Sequence, residues 1–324
     1  MSFESIIGHN SIKNQIMISI KLDKLSHAHL IVGEDGIGKS ILARNIGFNI
    51  LGEDEDKKYV DLVEWRVEKN KSTIGVNSIR TLNEEIHKKP YEGNKKVIII
   101  YDAHKMTIQA QNAFLKTIEE PPKNVFIILL CENLEVILDT IKSRCQIHKL
   151  KNLNEDEMQQ FLLINYVDLS LEEIRVIIAF SNGIPGKAEK FISDNNFSNI
   201  RNITLEILLQ LSKVTTEELI KYEKKLSEQK ENFEEIINAF LSYIRDTIIY
   251  KEIEEDNLII NIDKILCIKE LANTFSFNKL NGIINIINDT RENLDRNVNP
   301  GLAFEVMLFK MQEVWYGYSN RSEI

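Results

Sequence analysis

Residues 28–40 read Ala28-His29-Leu30-Ile31-Val32-Gly33-Glu34-Asp35-Gly36-Ile37-Gly38-Lys39-Ser40, and this stretch decides the fold. Ala28 to Val32 is a short apolar strand. Gly33 to Ser40 matches G-x-x-x-x-G-K-[ST] at every fixed position. Ser40-Ile41-Leu42-Ala43-Arg44-Asn45-Ile46 follows as a helical run. Strand, glycine-rich turn and helix in that order make a phosphate loop. Its glycines let backbone N–H groups turn inward on an anion, and the helix N-terminus adds partial positive charge. The expected nucleotide-binding residues are Gly33, Asp35, Gly36, Ile37, Gly38, Lys39 and Ser40. Lys39 is expected to reach the β- and γ-phosphates of ATP (or ADP), and Ser40 to ligate Mg²⁺.

Two more runs complete the pattern. Lys96-Val97-Ile98-Ile99-Ile100-Tyr101 ends in Asp102, and Val125-Phe126-Ile127-Ile128-Leu129-Leu130 is as apolar. Continuous runs of this kind are strands buried on both faces, hence an α/β fold on a parallel sheet. Between them Ala110 to Ile118 reads as a helix stopped by Pro121-Pro122. Asp102, at the end of a neighbouring strand, is placed to hold Mg²⁺ through water, so Ser40 and Asp102 are the expected metal contacts. Ala103 follows where many ATPases of this class carry a glutamate to polarise the attacking water, and alanine cannot act as a base. His104 reads as a packing or capping residue. Glu119 and Glu120 are carboxylates at a helix end far along the chain. The pattern supports binding better than hydrolysis.

After Cys145 the strand signals fade. Residues 151–200 read as short helices with a break at Gly183-Ile184-Pro185-Gly186, and from about 203 the pattern is helical nearly to the end. Leu302, Val306 and Phe309 form one apolar stripe at i, i+4, i+7. The chain has 324 residues, which at roughly 100–200 per domain suggests two or three domains. A hydrophobic fraction of 43% with 27% charged residues excludes wholesale disorder. Five prolines and 13 glycines favour long helices over a turn-rich all-β chain. Three cysteines, Cys131, Cys145 and Cys267, make neither a disulfide framework nor a CxxC site and fit a reducing cytosol. The start has no signal-peptide pattern and no stretch reads as a transmembrane helix, so a cytoplasmic location without membrane contact is expected. Residues 1–150 carry 21 Lys+Arg and 20 Asp+Glu, whereas residues 151–324 carry 19 and 29. An acidic C-terminal half repels DNA phosphates and suits protein docking, although charge alone fits a solvated acidic helix surface as well. Glu53-Asp54-Glu55-Asp56-Lys57-Lys58 reads as a solvated loop.

These residues resemble the delta-prime subunits of the bacterial DNA polymerase III clamp loader, within the AAA+ superfamily. The likeness runs over essentially the whole chain. It begins at Phe3-Glu4-Ser5-Ile6-Ile7-Gly8-His9 and Ser26-His27-Ala28-His29-Leu30, and continues through the phosphate loop and Val76-Asn77-Ser78-Ile79-Arg80. Pro90-Tyr91-Glu92-Gly93 and Asn112-Ala113-Phe114-Leu115-Lys116-Thr117-Ile118-Glu119-Glu120-Pro121-Pro122 are its most specific stretches. Ser143-Arg144-Cys145 is similar to the family's SRC motif, and Asn297-Val298-Asn299-Pro300-Gly301-Leu302-Ala303-Phe304-Glu305 to its collar-helix signature. Three departures separate the chain from the gamma/tau motor subunits. Asp102-Ala103 stands where the motor carries Asp-Glu, Cys131 where it carries Thr, and Gly186 near where it carries a lid arginine for the γ-phosphate; Lys187 is a partial substitute for that arginine. The chain also lacks the family's four-cysteine zinc cluster, since residues 51–64 contain no Cys, so no zinc is expected.

The resemblance implies three domains: a nucleotide-binding AAA+ domain over 1–148, a helical lid over 149–200 and a helical collar over 201–324 that joins neighbouring subunits. It implies a largely non-hydrolysing subunit of the DNA polymerase III holoenzyme, which as a whole is a nucleotidyltransferase. The implied partners are gamma/tau and delta subunits, the sliding clamp, and primer-template DNA within the complex. It also implies that Arg144 acts catalytically in trans, on a neighbouring subunit's ATP; such arginine fingers are worth roughly 10³–10⁵ in rate in GTPases. From position alone Arg144 reads instead as half of a surface ion pair of little worth. Cys145, Trp65 and Trp315 read as packing residues, and His27 and His29 as structural. Other classes remain: an ATP-hydrolysing gamma/tau-like motor or another AAA+ ATPase, a scaffold that never binds nucleotide, and a sequence-specific DNA binder. Ala103 with Gly186 argues against the first, the intact loop against the second, and a net charge of −9 against the third.

Overall fold

The computed structural model describes residue 3 and residues 6–52, 59–67 and 71–317. The charged loop Glu53–Lys58 lies outside these residues, as do Glu4 and Ser5 of the first resemblance stretch. The chain divides into two compact units, one of residues 1–165 with 182–187 and one of residues 166–181 with 188–324.

The first unit runs α1 (Asn10–Lys21), β1 (Ala28–Val32), α2 (Lys39–Leu51), β2 (Leu62–Trp65), α3 (Val76–His87), β3 (Lys96–Ile100), α4 (Ile108–Glu119), β4 (Val125–Cys131), α5 (Asp139–Lys142), β5 (Gln146–Lys149) and α6 (Glu155–Asn165). The strands form one parallel sheet in the order β2-β3-β4-β1-β5. The three apolar runs are its three inner strands. Both sheet faces are covered: Leu30, Ile98, Ile100, Ile127 and Leu129 belong to one buried cluster, and Ile31, Val97, Ile99, Ile128 and Leu130 to another. Alternate residues of each strand thus feed opposite layers, as a two-sided parallel sheet requires. The helix between β3 and β4 starts at Ile108, two residues before the periodic run. Thr107 caps it, its hydroxyl accepting from the Ala110 N–H at 3.2 Å. A short helical turn at 134–136 and then α5 precede Arg144.

The second unit is helical: α7 (Leu171–Ser181), the end of α8 (Pro185–Ser193), α9 (Asn195–Gln210), α10 (Thr216–Ser227), α11 (Phe233–Ile253), α12 (Ile265–Thr274), α13 (Phe277–Asp295) and α14 (Pro300–Tyr316). Helix α9 runs unbroken through position 200. Its own core gathers Ile200, Leu208, Phe240, Tyr243, Ile283, Phe304 and Met307, with Trp315 packed edge-on against Phe275. Arg201 is buried and bonds Asn261 at 2.9 Å and Asp263 at 2.7 Å. The start of α14 follows from its sequence: the Asn299 side chain accepts from the Leu302 N–H, and Pro300 opens the first turn, where no N–H is needed. The apolar stripe of that helix differs from its reading. The buried residues are Ala303, Phe304, Met307, Leu308 and Met311, whereas Leu302 and Val306 are 56% and 43% exposed. Two apolar faces lie on one helix, and periodicity alone does not say which turns inward.

Candidate functional site

Strand β1 delivers the chain into the loop at Gly33, whose N–H donates to the Cys131 carbonyl at the end of β4 (3.1 Å). Gly36 and Gly38 sit at φ +79° and +101°, a region that side chains rarely adopt, so the motif's glycines are what let the loop turn back on itself. Gly38 is the last residue before α2, which begins at Lys39. Ser40 is therefore in the first helical turn, beside the free N–H groups. The Lys39 ammonium donates to the carbonyls of Gly33 and Glu34, both at 2.8 Å. Burial lowers its pKa, while the carboxylates of Glu132, Asp35 and Asp102 act in the opposite direction. These carboxylates come from the loop and from just past the ends of two strands.

Asp102 stands just past β3 in a left-handed conformation (φ 53°) and pairs with Lys105 at 3.1 Å. Ala103 is 1% exposed, in the buried cluster that contains Ile74, Met106 and Ala110. The side chain at position 103 is therefore packed in the core. His104 does take a local role, its Nδ1 accepting from the Glu132 N–H at 3.3 Å. Glu132 follows β4 without any motif around it, so the sequence alone does not single it out. Cys131 is buried. Burial pushes its thiol up to about 11, so it stays protonated and donates to the Asn133 carbonyl at 2.9 Å.

Gly186 docks on the loop. Its N–H donates to the Gly36 carbonyl at 2.9 Å, and a Cβ built on it would lie 2.6 Å from the Gly36 Cα. No side chain fits there. Lys187 lies 3.7 Å from Glu34 of the loop, an exposed and weak pair.

Arg144 lies outside this cluster. Its guanidinium bonds Glu119 at the end of α4 (2.8 Å) and the Thr140 carbonyl (2.9 Å), and the side chain is 38% exposed. Within the chain alone it forms the surface pair that its position suggests. Cys145 packs on the core beneath the sheet, as does Trp65. His27 bonds the Ile118 carbonyl at 2.9 Å, and His29 is fully buried against His148.

The sequence expectation places Asp102 on a strand neighbouring the loop, but β4 lies between β3 and β1, so Asp102 stands one strand removed. A glycine-rich loop between a parallel strand and a helix, with an aspartate past another inner strand of the same sheet, defines a P-loop α/β protein with a helical C-terminal part. The family profile described as DNA polymerase III, delta subunit, matches residues 8–154, and the profile of that family's C-terminal part matches residues 196–313. The chain belongs to the clamp-loader subunits of DNA polymerase III. It is 31% identical to the gamma subunit of Buchnera aphidicola (subspecies Schizaphis graminum), over 65% of this chain and 60% of that one. It is 33% identical to the delta-prime subunit of Escherichia coli, over 40% of this chain and 39% of that one. Against the tau subunit of Bacillus subtilis the match is 25%, over 95% of this chain and 61% of the other. The chain spans 60%, 25% and 28% of the first curated relatives' lengths. Among solved structures, a gamma-subunit-related protein of Thermotoga maritima is similar with a TM-score of 0.45 at 19% identity, over 93% of this chain and 99% of that one. No helix among the described residues is long and apolar enough to cross a membrane.

Proposed function

We propose that the chain is the delta-prime-type subunit of its clamp loader, binding ATP or ADP with Mg²⁺ in the Gly33–Ser40 loop and turning it over little. One observation carries this reading: a complete phosphate loop stands beside a residue 103 that is alanine and buried in the core. In the bound state Lys39 would exchange its two loop carbonyls for phosphate oxygens, and Ser40 and Asp102 would hold the ion. The ion supplies charge neutralisation of the phosphates. What the chain lacks at 103 is a base to deprotonate the attacking water. The close seat of Gly186 on Gly36 supports the same reading, because a lid arginine cannot occupy it.

The subunit would join gamma/tau and delta subunits and help place a sliding clamp on primer-template DNA. The division into a nucleotide-binding part (1–148), a lid (149–200) and a collar (201–324) belongs to this proposal, as does a cytoplasmic location. Arg144 would act in trans on a neighbour's ATP. Its pair with Glu119 is exposed and so contributes about 0.2–1 kcal/mol, little enough for a phosphate to displace. The competing reading is a gamma/tau-like motor, favoured by the names of the relatives cited. Calorimetry with ATP and Mg²⁺ should show binding that Lys39→Ala abolishes, and steady-state turnover at a motor's rate would overturn the delta-prime reading. Native mass spectrometry of the chain mixed with gamma/tau and delta subunits tests the assembly.

A further inference from the structure

We propose that Asp102, His104 and Glu132 form a divalent-cation site that operates without nucleotide and takes Mn²⁺ in preference to Mg²⁺. Each residue offers one ligand atom, and the three atoms lie within 4.8 Å of one another. That spread fits donors around a single ion with bonds of roughly 2–2.3 Å. The three come from rigid places. Strands β3 and β4 pair in parallel with Ile100 opposite Leu129, and β4 runs two residues further, to Cys131, so Asp102 and Glu132 leave adjacent strands about one residue apart in height. His104 sits in the helical turn that follows β3, and the Glu132 N–H at 3.3 Å from its Nδ1 holds the ring beside both carboxylates. That contact is long and therefore weak enough to give up on coordination.

The donor set selects the ion. Two carboxylates bring a charge of −2 to a divalent cation. Mg²⁺ takes oxygen ligands at near-ideal octahedral geometry and retains its waters, so an imidazole nitrogen offers it little. First-row transition ions accept mixed carboxylate and imidazole sets; Mn²⁺ binds a given site most weakly of that series, but it shares with Mg²⁺ a liking for carboxylate oxygens and, unlike Mg²⁺, also gains from the imidazole. Three protein ligands leave the remaining positions to water. Three neighbours bear on the site. The Lys39 ammonium interacts with the Glu132 and Asp102 carboxylates and lowers their affinity for a cation, but its hydrogen bonds go to the Gly33 and Glu34 carbonyls and leave the carboxylate oxygens open. Lys105 pairs with Asp102 at 3.1 Å, but both side chains are about two-fifths exposed and the pair is weak. Cys131 adjoins Glu132, but its sulfur is buried and donates to the Asn133 carbonyl. The inference shares Asp102 with the nucleotide reading and does not otherwise depend on it.

The test uses the full chain, stripped of metal and free of nucleotide. Mn²⁺ is titrated with free Mn²⁺ read by electron paramagnetic resonance, and Mg²⁺ is added in competition. The expected result is one Mn²⁺ bound at least tenfold more tightly than Mg²⁺, weakened at least tenfold by His104→Gln and by Glu132→Gln. Both variants should melt at the parent's temperature in chelator; if His104→Gln fails to fold, Glu132→Gln, at an exposed position, decides alone. Absence of Mn²⁺ binding at millimolar concentration, equal competition by Mg²⁺, or full affinity in Glu132→Gln would overturn the proposal. So would a thiolate charge-transfer band with Co²⁺, which would place the metal on cysteine. A failure of the nucleotide reading shows separately, as absent ATP binding in calorimetry.

Discussion

Arg144 and His29 show how differently a single residue can be read. For Arg144 the pair with Glu119 explains the isolated chain, and the trans role makes a prediction that the pair does not. Arg144→Ala should leave this chain's own ATP affinity unchanged and shift its stability by less than about 1 kcal/mol. In the assembled complex it should lower clamp- and DNA-stimulated ATPase in part, because one motor site loses its charge partner. An unchanged rate in the complex returns the residue to the surface pair, and failure to assemble makes it structural. His29 makes a prediction about pH. Its Nε2–H donates to the Ser26 carbonyl (2.9 Å), so its Nδ1 accepts from the His148 Nε2–H at 3.0 Å. Both rings are neutral in this arrangement. Burial, then the neighbouring His148, lowers the His29 pKa from 6.5 to about 4. Between those values the unfolded chain binds a proton that the folded chain refuses, so stability falls as pH drops from 6.5 toward 4. The loss from pH 7 to pH 5 should be about 2 kcal/mol. Denaturant unfolding at the two pH values measures it, and a His29→Gln variant that keeps the same pH dependence would refute the assignment.

At the scale of elements, the same physics explains what was legible and what was not. Strands β1, β3 and β4 showed as apolar runs because they are the inner strands, buried on both faces. Leu62–Trp65 and Gln146–Lys149 did not, because they are the two edges: Glu64 and Ile147 are exposed, and four residues with mixed polarity carry no period. In the site, the loop and Asp102 were readable from local spacing. Glu132 beside Asp102 depends on strand order, and Gly186 on Gly36 joins positions 150 apart in the chain, so no window of sequence contains either. The Gly186 contact can be tested as a unit of loop and following helix. Gly186→Ala puts a methyl 2.6 Å from the Gly36 Cα, where only backbone can yield. It should cost roughly 1–3 kcal/mol and weaken nucleotide binding, because the loop must shift to make room. Calorimetric nucleotide affinity and the melting temperature check this, and a variant indistinguishable from the parent in both would mean that the two glycines do not need to touch.

For the whole molecule the proposed function raises the question of which surface of the helical unit would join other subunits. The fold of that unit already buries Ala303, Phe304, Met307, Leu308 and Met311 from α14, so the helix needs no further apolar face for its own stability. Yet Leu302 and Val306 stand out on the same helix, one turn apart, 56% and 43% exposed. Scattered exposed apolar residues are ordinary, but two in register on one helix face of an acidic unit form a narrow stripe that a neighbouring helix can cover. Within the proposed collar this stripe is where contact with another subunit is expected. Leu302→Ser with Val306→Ser should therefore change the chain's own stability by less than about 0.5 kcal/mol, as surface substitutions do. The proposed nucleotide binding, whose loop lies in the other compact unit, should be untouched. Co-purification with gamma/tau and delta subunits should fall sharply, because the exposed face no longer offers apolar area to bury. If the doubly substituted chain still enters the complex at full yield, α14 is not the joint, and the subunit contact must lie on another face of the second unit.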